Sequence, residues 1–142
     1  MPLERHIALV IEVDPDAIQQ MTRVLAGIGC RTVTAGDDVA ARQVCAELLR
    51  QGMAPGVIIA RVALPSGSGI RMMEEAAAVF PEAACLLISH HPRNLLFAVP
   101  GFPEHSTNFL QAEFTDDQLQ KTVERLLTRN QRAGQGSTRD QR

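Results

Sequence analysis

The 142-residue sequence has no tryptophan, no tyrosine and only five phenylalanines. Without Trp or Tyr it offers little of the aromatic platform on which nucleic-acid bases stack. Its three cysteines, Cys30, Cys45 and Cys85, form no CxxC pair. That excludes the common zinc and dithiol spacings and leaves three small core residues kept reduced. No apolar run approaches the roughly 20 residues of a membrane helix. The opening stretch "MPLERHIALV" is charged and lacks the apolar core and cleavage site of a signal peptide. A cytoplasmic protein with no membrane contact is the expectation.

What is present is ordinary for a globular domain: 45% hydrophobic and 21% charged residues. The length suits one domain with a tail. Charge is unevenly placed. Residues 1–124 carry nine basic and fifteen acidic side chains, whereas residues 125–142 carry five Arg and a single Asp. The end, "TRNQRAGQGSTRDQR", has no apolar periodicity. The expected division is a folded unit over 5–130 and a disordered basic tail or linker over 131–142. So short a basic tail, with no clustered basic surface on a folded module, does not predict nucleic-acid binding.

Along the chain, buried-strand runs alternate with amphipathic helices. "HIALVIEV" and "GVIIARV" are near-continuous apolar runs, as strands covered on both faces require. Asp14 before Pro15 marks a helix start, after which Ile18, Met21, Leu25 and Ile28 recur at helical spacing. "RTVTA" is a short strand. "DDVAARQVCAELLRQG" is a second helix with Ala41, Val44, Cys45 and Leu48 on one face. "IRMMEEAAAVF" is a third, with Ile70, Met73, Ala77 and Phe80 inward. "ACLLIS" and "TNFLQA" are strands. Pro92, Pro100 and Pro103 leave "HHPRNLLFAVPGFPEH" room for only a shortened or irregular fourth helix. Thr115 and Gln118 form a capping-box pattern ahead of a last helix lined by Leu119, Val123 and Leu126.

Five β-α units predict an α/β fold: a doubly wound, five-stranded parallel sheet in the order 2-1-3-4-5. Function in such sheets gathers at the carboxyl ends of the strands. Here those ends are Glu12–Asp14, Arg61–Leu64, Ser89–His91 and Gln111–Glu113. No nucleophile–base pair or metal cluster is visible among them, so the chain does not read as an enzyme, and no metal or cofactor is expected. The Ser66–Gly69 loop lacks the spacing and the Lys of a phosphate-binding loop and reads as a tight βα connection. His90 and His91 are adjacent, point opposite ways in extended chain, and would not share one ion.

"LVIEVDPD", "TAGDDVAA" and "PGVIIARVALPSGSG" together resemble the receiver domain of bacterial two-component response regulators. The likeness covers about residues 5–130, and it implies a flavodoxin-like (βα)5 fold. In that family two carboxylates hold Mg²⁺, an aspartate accepts a phosphoryl group, a Ser or Thr follows it and a Lys pairs with the aspartate. Placed on this sequence, Glu12 keeps the first acidic position and Val13 falls on the second, with Asp14 one residue further. Arg61 stands at the phosphoacceptor, Ser89 at the Ser/Thr and Ala112 at the Lys. Phe109 matches the switch aromatic.

The resemblance therefore implies an atypical receiver that cannot be phosphorylated at the usual place, because a guanidinium is no nucleophile and stays charged. An Arg61–Glu12 ion pair in the metal's place is expected. The expected function is signal transduction by contact, through a protein partner or a homodimer on the face running from the fourth helix to the last. Leu95, Leu96, Phe97, Val99 and Phe102 are candidate contact residues there. The alternative is a small-ligand sensor binding an anion or nucleotide around Arg61.

Overall fold

The structure is a computed structural model and describes residues 6–65, 67–90 and 108–140, with side chains as far as Arg129. Strand β1 (Ile7–Ile11) leads to helix α1 (Pro15–Gly27), β2 (Arg31–Ala35), α2 (Asp38–Arg50) and β3 (Val57–Arg61). A two-residue pair, β4 (Ala63–Leu64) and β5 (Gly67–Ser68), precedes α3 (Gly69–Val79). Then come β6 (Ala84–Ser89), β7 (Asn108–Gln111) and α4 (Asp116–Asp140).

The main sheet is parallel throughout, in the order β2-β1-β3-β6-β7. Counting its strands alone, this is the expected 2-1-3-4-5 winding, and the flavodoxin-like fold class holds. The short antiparallel β4–β5 hairpin is an addition inside the stretch read as a plain loop.

The central strands form where the sequence leaves no polar face. All five residues of β1 are buried, as are Val57 to Ala60 in β3. Helices on both sides make this possible. On one side Leu9, Ile11, Ile58 and Leu87 pack with α2 and α3. On the other, Val10, Ile59, Leu86 and Ile88 pack with α1 and α4.

Helix ends follow local chemistry. Asp14 caps α1, accepting from the Asp16 amide at 3.4 Å, and Asp37 caps α2, accepting from the Ala40 amide at 2.8 Å. At α4 the capping box closes both ways: the Gln118 amide donates to Thr115 Oγ1 at 3.1 Å, and the Thr115 amide to Gln118 Oε1 at 2.8 Å.

Three helical faces differ in detail from the periodicity. Val24 joins Met21 and Leu25 in the buried face of α1, whereas Ile18 and Ile28 are half-buried. In α2, Val44 is half-buried beside buried Ala41, Cys45 and Leu48. Helix α3 buries Met72 and Ala76 beside Ile70, Met73 and Phe80, and Ala77 only in part, because it is covered by α2 as well as by the sheet. Helix α4 runs on to Asp140, into the stretch read as a tail. The expected fourth helix within 90–105 and the contact residues Leu95, Leu96, Phe97, Val99 and Phe102 lie outside the described residues.

Candidate functional site

Register places the site. Ile11 of β1 pairs with Ala60 of β3, so the next residues, Glu12 and Arg61, stand side by side at the carboxyl edge of the sheet. Glu12 is still tied to β2, its amide donating to the Ala35 carbonyl at 3.1 Å. Its side chain turns inward and is 1% exposed.

The Glu12 carboxylate is fully engaged. Arg61 Nε donates to Oε1 and Oε2, each at 2.8 Å. The backbone amides of Val13 and Asp14 add bonds to Oε2 at 2.9 and 3.1 Å. A buried carboxylate needs such partners, since an unpaired charge there costs several kcal/mol by order of magnitude. Arg61 is 15% exposed at its side chain, and its Nη1 and Nη2 make no hydrogen bond to the described residues. The pair inferred from sequence is present.

The other candidates divide. Asp14 is spent as the cap of α1, and Val13 is turned to solvent. Neither adds a carboxylate to the pocket. Ser89 is buried at the end of β6, one residue beyond Ile88, the β6 partner of Arg61. Its carbonyl accepts from the Ala112 amide at 2.7 Å, which fixes the end of β7 against β6. Ala112 packs among the residues on the α1 and α4 side. Phe109, paired with Leu87 in register, is half-buried against the opposite cluster.

Sequence reasoning missed one determinant. Gly69 opens α3 against the backbone of Arg61: a Cβ on it would stand 1.6 Å from the Arg61 carbonyl oxygen. Its amide donates to the Val62 carbonyl at 2.9 Å. The signal was a glycine eight residues after Arg61, read only as part of a tight turn.

Chemically, the site holds a compensated cation where a metal-binding and nucleophilic centre would need clustered carboxylates. Both Glu12 oxygens already accept from N–H donors, and the next residue, Val13, offers no carboxylate. This donor set does not fit a hard divalent ion, which takes six or more oxygens. Among the described residues no group of three or more His, Cys, Asp or Glu could hold a metal ion. Elsewhere, burial pushes the Cys30, Cys45 and Cys85 thiols up, which favours their protonated form. Among the described residues no helix is long and apolar enough to cross a membrane.

A five-stranded parallel sheet wound in this order, with its site at the carboxyl edge, has the fold of response-regulator receiver domains. Solved structures of that kind match nearly the whole chain. A response regulator receiver protein from Sinorhizobium medicae WSM419 is 20% identical, with a TM-score of 0.72, over 90% of this chain and 98% of its own. The signal receiver domain of an HD domain-containing protein from Pseudomonas fluorescens Pf-5 is 17% identical, with a TM-score of 0.73, over 93% of each. NtrX from Brucella abortus is 25% identical, with a TM-score of 0.76, over 96% of this chain but only 29% of its own length. No family model and no curated protein matches the sequence.

Proposed function

We propose that the chain is a degenerate receiver domain that signals by contact, without accepting a phosphoryl group. The observation that carries this reading is Arg61 at the end of β3, bonded through Nε to both oxygens of Glu12. A phosphoacceptor must be nucleophilic, and its Mg²⁺ must find carboxylate oxygens. Arg61 supplies neither, and it occupies the one carboxylate that remains. Ala112 in place of the family's Lys agrees with this. A second cation beside Arg61 would be repelled, and no phosphoryl charge has to be neutralised.

On this reading the domain is not an enzyme and takes no cofactor. It works in the cytoplasm through a protein partner or a second copy. Its candidate contact residues are Leu95, Leu96, Phe97, Val99 and Phe102, which lie outside the described residues, together with the face of the last helix. Residues 5–130 form the module, and 131–142, into which α4 continues as far as Asp140, are its basic tail or linker. Its fold neighbours include NtrX from Brucella abortus, of whose length it spans 29%. The test is incubation with Mg²⁺ and acetyl phosphate, followed by intact-mass measurement. The mass stays unchanged on this reading, and a phosphoryl adduct on any carboxylate overturns it.

One observation favours a second reading. The outer nitrogens of Arg61 make no bond to the described residues and sit at a carboxyl edge, where an anion could be held. Thermal shift against inorganic phosphate and ATP distinguishes it. Stabilisation lost in Arg61→Ala would favour a ligand sensor.

A further inference from the structure

Helix α2 carries apolar residues on two faces. Ala41, Cys45 and Leu48 face the core. Val39, Arg42, Ala46 and Leu49 form a second row, and all four are exposed. Their spacing of three, four and three residues is that of the contact seam of a helix pair. Val39 is 55% exposed and Leu49 56%. The described residues contain only four exposed large hydrophobics, and three of them, these two and Val79 on α3, lie on this helix pair. Beneath the row, between α2 and α3, is a cavity of about 320 Å³ with an apolar lining.

We propose that this face docks a second copy of the chain, with the two α2 helices antiparallel. That arrangement is self-complementary at every step. Val39 of one copy meets Leu49 of the other, the stem of Arg42 lies over Ala46, and Asp38 meets Arg50. Asp38 is in the first turn of α2 and Arg50 in the last, so each end of the pair joins opposite charges. A parallel pairing would set Asp38 against Asp38 and Arg42 against Arg42. Arg42 tolerates the centre of the seam because two carboxylates already neutralise it: Asp38 at 3.3 Å and Glu75 at 3.2 Å. Val79 flanks the seam from α3. A helix of 13 residues spans about 20 Å, so the interface is small and the dimer weak and reversible. This surface is separate from the partner face proposed above and does not depend on it.

Sedimentation equilibrium of the full chain over a concentration series tests the proposal. The wild type is expected to pass reversibly from monomer to dimer. Ala46→Glu sets a carboxylate in the seam and raises the dissociation constant by about tenfold or more, with the melting midpoint unchanged. Leu49→Glu does the same. Val39→Lys weakens the dimer by loss of apolar contact, and Val39→Lys with Leu49→Glu restores it, because the opposite charges meet across the pair. Rescue separates an interface from damage to folding. A chain that stays monomeric up to its solubility limit overturns the proposal. So does a dimer that resists Ala46→Glu and Leu49→Glu, or a double variant that fails to rescue.

Discussion

Arg61 Nε donates to both carboxylate oxygens of Glu12 at 2.8 Å, across the mouths of two adjacent parallel strands. Glu12 is buried, and the guanidinium is nearly so. Such a pair contributes less to net stability than its Coulomb attraction suggests, because both charges have left water. Removing one partner is a different matter.

Arg61→Ala leaves the Glu12 carboxylate with only the amides of Val13 and Asp14. The expected loss is about 2–4 kcal/mol, below the full figure for a sealed pair because Arg61 retains some solvent contact. Replacing both residues, Glu12→Leu with Arg61→Met, recovers most of that loss. Urea unfolding of the single and double variants measures it. A single variant as stable as wild type would show that the pair does no structural work.

Gly69 and Gly27 separate close approach from ordinary helix propensity. Gly69→Ala drives a methyl into the Arg61 carbonyl, forces the start of α3 away from β3, and costs about 3 kcal/mol or more. Gly27→Ala, at the exposed last position of α1 with nothing within 4 Å of the added carbon, stabilises by about 0.5–1 kcal/mol. Thermal or urea unfolding of the two variants checks the opposite signs.

Thr32, on edge strand β2, has its hydroxyl oxygen buried without a hydrogen-bond partner among the described residues. Thr32→Val removes that cost and suits a strand, so it raises stability by about 1 kcal/mol. A destabilised variant would mean that the hydroxyl has a partner, such as water.

The Asp116 carboxyl joins α1 to α4 through Arg23 and Gln20. Hydrogen bonds from Arg23 and then Gln20 hold it below its usual value of 3.8. A carboxyl lowered in the folded state contributes stability above its unfolded titration, and loses it as pH falls through the folded one. The contribution is therefore present at neutral pH and is lost progressively as pH falls below about 4. Because the pair is exposed, the effect is small and weakens with salt. Carboxyl NMR titration should show the Asp116 midpoint rising in Arg23→Ala. An unmoved midpoint would assign the shift to another group.

Much of this was legible in the sequence because it is set by local or periodic chemistry. Two-sided apolar runs gave β1 and β3, Asp14 before Pro15 gave the start of α1, and Thr115 with Gln118 gave that of α4. The Glu12–Arg61 pair followed from which residues end neighbouring strands. What escaped depends on three-dimensional approach. Gly69 looked like any loop glycine until the start of α3 was seen to lie on the Arg61 carbonyl. Asp14 was ambiguous between site and cap, and one residue of displacement along the chain decided for the cap. The β4–β5 hairpin is two residues long on each side, too short for any periodicity to mark. The outward row of α2 was hidden by the stronger inward one.

The central claim is that the carboxyl edge of the sheet carries a fixed ion pair in place of a phosphorylation centre. Amide NMR spectra recorded during titration with Mg²⁺ and beryllofluoride, a phosphoryl mimic, test it most directly. The account predicts no saturable shift at Glu12, Val13, Arg61, Ser89 or Ala112. A saturable, Mg²⁺-dependent shift at those amides would contradict it.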